Sequence, residues 1–488
     1  MNPRIIARIN AGVMLAIGTS LLVPLALSLA YDDGSWPSFL LPSAAMMAVG
    51  AFVFRATKPT SRRALEFVSN RDVLFSVTLA WVLSAVLGGS PFLLEGTFAN
   101  PIDSTFEAMS GFTTTGATLL SNIEAQTPSI LFWRSMTQWL GGIGIVVLFV
   151  AVAPVLGFGA ARLLSAEVSG IDQTRLTPRI ADTAKALLVV YLVLSAAEVV
   201  ALLAAGMGPY DAVVHTFTTI ATGGFSDRTA SIGYYHSVAI EVVLIVFMAL
   251  SAVSFAIYYL LYTQRSLRVL LDQELLAYVG ILVAGVLFVW GILIIEGSYG
   301  DSWGQAFRYS AFDVTSVITT TGFVTADYDK WDTGAKFAVL LLMFIGGCAG
   351  STAGGMKVIR IIIVFRTILA DLLRSIHPRA VTPLKLGDRV IPESARVAVL
   401  GLFAAWILTF IVASLVVAVQ PQLSLISSLS AVAATLNVVG PGLDQVGATE
   451  SFGAVDHFGR VILTLCMLLG RLEILTALAL FSPFFWKD

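Results

Sequence analysis

Ser110-Gly-Phe-Thr-Thr-Thr-Gly-Ala-Thr118 recurs imperfectly as Phe217-Thr-Thr-Ile-Ala-Thr-Gly-Gly-Phe-Ser226, Ser316-Val-Ile-Thr-Thr-Thr-Gly-Phe-Val-Thr325 and Ala434-Thr-Leu-Asn-Val-Val-Gly-Pro-Gly442. Each copy sets a glycine after a run of threonines or small residues. Taking Gly116, Gly223, Gly322 and Gly440 as reference points, the copies stand 107, 99 and 118 residues apart. Intervals of that size fit one helix, loop, helix unit used four times.

The solvent for these units is lipid. Of the 488 residues, 57% are hydrophobic and 12% charged, with a mean hydropathy of +0.87. The apolar residues gather into runs near the roughly 20 residues needed to cross a bilayer. These runs lie at about 5–30, 38–55, 73–94, 130–153, 184–206, 237–263, 275–297, 336–371, 395–420 and 457–482, which predicts about ten crossings. A membrane β-barrel would show shorter alternating segments, and a soluble helical protein would show polar stripes. The expected fold is an all-α polytopic bundle: a two-helix extension (1–65), then repeats over 66–172, 173–272, 273–390 and 391–488.

Basic residues cluster at Arg4 and Arg8, at Arg55, Lys58, Arg62 and Arg63, at Arg162, Arg175, Arg179 and Lys185, at Arg265 and Arg268, and from Lys357 to Arg396. These clusters fall two crossings apart, so the positive-inside rule places both termini in the cytoplasm. The intervening loops, with Asp32, Asp103, Asp301, Asp444 and Glu450, then form an external, mildly acidic face.

Ahead of each reference glycine lies a stretch too short to span, at 103–113, 210–219, 304–318 and 423–435, expected as a re-entrant half-helix. Irregular backbone at membrane depth persists only where protein or a wet cavity satisfies its polar groups, so four such loops should converge on one lumen. A single Thr-Thr-Thr-Gly would sooner read as a polar turn. Four in register read as a cation filter, in which backbone carbonyls replace the water around an ion and glycine lets each carbonyl turn inward. The candidate ligands are Thr114, Thr115, Gly116, Ala221, Thr222, Gly223, Thr320, Thr321, Gly322, Val438, Val439 and Gly440. The fourth loop lacks the threonines and departs most.

The eighth run contains Ile345-Gly-Gly-Cys-Ala-Gly-Ser-Thr-Ala-Gly-Gly355. Its glycines each disfavour helix by roughly 1 kcal/mol, so the helix should break there. Close helix packing through small residues is the competing explanation. Arg471 lies within the last apolar run, where a charge normally faces an interior or a wet cavity. Glu473 is near in sequence but points elsewhere on a helix, so a carbonyl of the 345–355 loop is the better expected partner. His215, His236, His377 and His457 have no metal-ligand spacing and no catalytic motif is evident, so no enzyme is expected.

These segments, with Phe132-Trp-Arg-Ser-Met-Thr-Gln-Trp-Leu-Gly-Gly-Ile-Gly144 and Gly470-Arg-Leu-Glu-Ile-Leu-Thr476, resemble the Trk/Ktr/HKT superfamily of cation transporters across nearly the whole chain. The two extra leading helices are similar to the TrkH type of pore subunit. The resemblance implies a potassium uptake pore in the bacterial cytoplasmic (inner) membrane, paired as a homodimer among membrane lipids. Potassium is then the transported ion and no organic cofactor is expected. By the same resemblance, glycine at Gly116 goes with potassium permeation and serine there with sodium. Gly346, Gly347, Gly350, Ser351, Thr352, Gly354 and Gly355 match an intramembrane gate, and Arg471 a barrier beside it. The basic cytoplasmic segment from Lys357 to Lys385 matches the face that meets a cytosolic TrkA-like or KtrA-like nucleotide-binding ring. Nothing suggests a nucleic-acid partner. A symporter coupling potassium to protons or sodium is the alternative, although such carriers typically use inverted repeats.

Overall fold

The structure, a computed structural model, describes residues 1–58, 69–152, 176–378, 384–386 and 389–486. Arg62, Arg63, Arg162, Arg175 and Arg379, and the repeat boundaries expected at 65 and 172, lie outside these residues. The chain is nearly all helical; a hairpin of two-residue strands, Lys385–Leu386 and Arg389–Val390, is the exception among the described residues.

Among the described residues, six helical segments are long and apolar enough to cross a bilayer: Pro3–Tyr31, Trp36–Ala56, Arg71–Glu95, Ala184–Ala204, Gln273–Ile295 and Glu393–Val417. Only 28–33% of the residues in their apolar windows are buried inside the chain. Most of their surface is therefore outward and apolar, with Phe52, Val193, Phe288 and Leu415 among the exposed side chains, as expected of helices solvated by lipid. The chain is a multi-pass membrane protein.

The runs expected at 237–263, 336–371 and 457–482 are broken rather than continuous. The first divides into Val238–Ser251 and Phe255–Gln264, bent by 84°. The second divides into Thr333–Leu342 and Val358–Ile376 around the glycine-rich segment, and the third into His457–Arg471 and Leu475–Phe481. The break at 345–355 follows from glycine content.

Four half-helices end at the repeated loops: Pro101–Phe112, Pro209–Ile220, Trp303–Ile318 and Leu425–Leu436. A helix of 12 residues is roughly 18 Å long, about half of a hydrocarbon core of roughly 30 Å. Proline at the first position of two of them, and side-chain caps from Asn100 and Ser424, set where these helices start, since proline's missing N–H costs nothing there. The leading helices Pro3–Ser20 and Trp36–Ala56 pack closely at Gly18 and Gly50. A Cβ on Gly18 would stand 3.0 Å from Met46 Cβ, and Ser43 Oγ donates to Gly18 O at 2.7 Å, the small-residue packing usual between membrane helices.

Candidate functional site

Each half-helix is followed by the same backbone path. Thr114, Thr222, Thr320 and Val438 adopt left-handed φ values of 58°, 54°, 55° and 59°. Two residues later Gly116, Gly224, Gly322 and Gly440 do so at 86°, 73°, 83° and 106°. Between them, the N–H groups of Thr115, Gly223, Thr321 and Val439 donate to Ser110, Thr218, Ser316 and Ala434 carbonyls, each at 2.7–2.8 Å. The sequence alignment therefore needs one correction. The partner of Gly116 in the second loop is Gly224, not Gly223, and the aligned residues there are Thr222, Gly223 and Gly224 rather than Ala221, Thr222 and Gly223. In a Gly-Gly pair only backbone conformation tells which glycine holds the positive φ.

The four loops touch one another in a closed cycle. A methyl group on Gly116 would lie 2.1 Å from Gly223 O, and one on Gly224 would lie 1.9 Å from Thr321 O. One on Gly322 would lie 2.1 Å from Val439 O, and one on Gly440 2.6 Å from Thr115 O. Each carbonyl thus borders the bare Cα of the neighbouring loop, and any side chain at these glycines would strike a carbonyl. The carbonyls of Thr115, Gly223, Thr321 and Val439 thus hold matching positions in the four loops, each against the glycine of its neighbour.

Behind this ring a second repeated position carries polar anchors that sequence reasoning missed. Glu107, His215 and Asp313 stand five residues before the last residue of their half-helices, and each binds the segment that follows its glycine. Glu107 accepts from Thr118 Oγ1 at 2.8 Å and Leu119 N at 2.9 Å. His215 Nδ1 donates to the Asp211 carbonyl at 2.8 Å, and Nε2 shares a hydrogen bond of 3.0 Å with Ser226 Oγ. Asp313 Oδ1 accepts from Thr325 N at 3.0 Å. In the fourth repeat the position is Ala431, and adjacent Ser430 accepts from Leu443 N at 2.9 Å. The signal in the sequence was the equal spacing of Glu107, His215 and Asp313 from Gly116, Gly224 and Gly322, which appears only once Gly224 replaces Gly223 as the second reference glycine.

Glu107 also pairs with Arg134 Nε at 2.7 Å, both side chains being buried. Arg134 Nη1 donates to Ser226 O at 2.8 Å and its guanidinium lies over the Phe225 ring at 3.5 Å. One arginine thereby ties the first repeat to the second. Outside the ring a cavity of about 100 Å³ opens past Gly116, Gly224 and Gly322 toward Glu450. Near its rim, hydrogen bonds from the side chains of Ser424 and Ser427 hold the Asp444 carboxyl below its ordinary range.

Below the ring lies the glycine-rich loop, pinned at several points. Gly354 N donates to Thr320 Oγ1 at 2.6 Å, and Thr352 Oγ1 donates to Ile220 O at 3.0 Å, at the end of the second half-helix. A Cβ on Gly354 would stand 2.6 Å from both Asn437 O and Val438 Cβ. The loop therefore abuts the ends of the second, third and fourth half-helices. Its flanks are joined by Gly346 N to Met356 O at 2.9 Å, and Glu274 accepts from Ala349 N at 2.7 Å and Ile359 N at 3.2 Å. The Lys357 ammonium donates to Ala353 O. Arg471, 3% exposed, donates from Nη1 to Thr352 O at 2.8 Å and from Nη2 to Gly141 O at 3.4 Å. Its partner is a loop carbonyl, while Glu473 pairs with Arg360 at 2.5 Å. Among the described residues no cluster of His, Cys, Asp and Glu could hold a metal ion.

The family described as TrkH, cation transport protein, matches residues 44–296 and 300–488. The chain belongs to the TrkH family. It is 39% identical over 494 residues to the Trk system potassium uptake protein TrkH of Vibrio parahaemolyticus, and 37% identical over 490 residues to that of Halomonas elongata, covering 100% of both chains each time. Its fold is similar to the crystal structure of the potassium transporter TrkH from Vibrio parahaemolyticus, with a TM-score of 0.90 at 37% identity over 100% of both chains. Members of this TrkH family are named as transporters, not enzymes.

Arg134→Leu should destabilise the protein by about 3–5 kcal/mol, because it leaves the Glu107 carboxylate buried and unpaired. Thermal unfolding in detergent should show the lowered midpoint. Adding Glu107→Gln should recover part of the loss, since the uncompensated charge is then gone.

Proposed function

We propose that this chain conducts potassium into the bacterial cell through the ring of four loops, which acts as the selectivity filter. The observation that carries the reading is the closed cycle of carbonyls at Thr115, Gly223, Thr321 and Val439, each beside the next loop's glycine. Oxygens so arranged can replace the hydration shell of a cation. The four half-helices point their carboxyl ends at the same place, adding partial negative charge where the ion rests. Relatives of full length named as potassium uptake proteins support potassium as the ion. With one positive-φ glycine in each loop, the filter offers fewer carbonyl rings than the Thr-Val-Gly-Tyr-Gly arrangement, so discrimination against sodium is modest.

The 345–355 loop is the gate of this pore, and Arg471 is its electrostatic barrier. Held against the ends of three half-helices, the loop blocks the path below the filter, and the guanidinium bound to Thr352 O adds positive charge there. The helix Val358–Ile376 continues directly from the loop toward the basic face. A cytosolic nucleotide-binding ring that grips this helix would move the loop with it. In this reading both termini are cytoplasmic, the membrane is the bacterial inner membrane, and two copies pair as a homodimer.

Tracer uptake into proteoliposomes tests the filter. Gly116→Ser should lower the preference for potassium over sodium, because the added side chain reaches the Gly223 carbonyl, and an unchanged ion preference would remove Gly116 from the filter. Arg471→Ala should raise basal flux in the absence of any partner protein, and equal or lower flux would count against the barrier. Reversal potentials decide between conduction and symport. They should follow the potassium gradient alone, whereas a shift with the proton or sodium gradient at fixed potassium would establish coupling.

A further inference from the structure

The four loops hold their carbonyls by unequal means. In the first loop Thr113 Oγ1 and Thr115 Oγ1 share a hydrogen bond of 2.7 Å, and in the third Thr319 Oγ1 and Thr321 Oγ1 share one of 2.8 Å. That bond joins the residue capping the half-helix to the residue whose carbonyl faces the next glycine. In the second loop the two positions are Ala221 and Gly223, which have no hydroxyl to bridge.

Gln138, on the helix Pro128–Val152 of the first repeat, fills the gap. It is fully buried. Its Nε2 donates to Gly223 O at 2.7 Å, and its Oε1 accepts from Phe225 N at 3.1 Å. A Cβ on Gly223 would stand 2.3 Å from Gln138 Cδ and 2.4 Å from its Oε1. The amide therefore occupies the space that a threonine side chain takes in the first and third loops, and it spans the two peptides on either side of Gly224.

We infer that Gln138 is a positioning residue for ion selection, a brace supplied from the first repeat that aims the Gly223 carbonyl. The inference rests on the filter reading above. A carbonyl oxygen fixed by a buried amide cannot swing freely to close on a smaller ion or retreat from a larger one, so its placement enters the preference between cations. Burial strengthens this constraint, because without the amide the Phe225 N–H would have to find another partner.

The experiment compares potassium and sodium flux of the full chain in proteoliposomes for Gln138→Met, Gln138→Ala, Gly116→Ser and the triple variant Gln138→Ala with Ala221→Thr and Gly223→Thr. Gln138→Met keeps the volume but loses donor and acceptor, and should lower the potassium preference roughly twofold to tenfold, the scale of one or two hydrogen bonds. The triple variant makes the second loop match the first at these positions and empties the space that the added threonine needs. It should be more selective than Gln138→Ala alone, an outcome that a merely structural role for Gln138 does not produce. An unchanged preference in Gln138→Met overturns the inference, and so does a triple variant no more selective than Gln138→Ala. If Gln138→Met does not accumulate, the comparison of the triple variant with the unmodified chain carries the test, and a triple variant of low selectivity overturns it. Should Gly116→Ser alter ion preference while the Gln138 variants do not, the filter stands and the brace falls; should neither do so, both fall.

Discussion

Backbone meeting backbone at the centre of the molecule is the constraint on which the rest depends. Four carbonyl oxygens approach four α-carbons so closely that a single methyl group would lie within 2.6 Å of an oxygen. Only glycine fits, and only a left-handed φ turns the chain as required. Threonine and valine two residues earlier also hold positive φ, an uncommon conformation for β-branched side chains. Such a path persists when its surroundings over-determine it, and here each loop is bound to the end of its own half-helix by two or more backbone hydrogen bonds.

The four repeats meet one mechanical need with different chemistry. A carboxylate paired with arginine, a histidine, an aspartate and a serine each hold the segment leaving the ring. Polar groups this deeply buried are costly unless satisfied, and their hydrogen bonds to the residues that follow the ring offset part of that cost. The same divergence shows in the loops themselves, where a Thr–Thr bridge serves two copies and the other two lack it. A loop path repeated four times in the backbone therefore coexists with side chains that differ from copy to copy.

Much of this was legible in the sequence, because duplication leaves its mark on residue types. The half-helices were expected within a few residues of where they lie, since stretches of that length cannot span and each precedes a glycine. The break at 345–355 was legible because glycine removes helix propensity locally. The kink after Ser251 was not, for its cause is tertiary. Phe255 N donates to Gly350 O, Cys348 N donates to Ala252 O, and Thr352 Oγ1 reaches Ser251 O at 3.2 Å, so the glycine-rich loop supplies the hydrogen bonds that a continuous helix would have made itself. The break after Arg471 likewise carries no glycine or proline; Glu473 and Ile474 are left-handed at 57° and 51°, with Glu473 held by Arg360 on another helix. The register of the second loop was hidden by its adjacent glycines, and the anchors behind the ring by lying in stretches that read only as short helix.

The hydrogen bond from Gly354 N to the Thr320 hydroxyl joins two parts that are usually considered separately. Thr320 is one of the strained residues of the third loop, so in the proposed pore a movement that withdraws the 345–355 loop also breaks a contact to the filter. Throughput and discrimination in that proposed pore share one hydrogen bond.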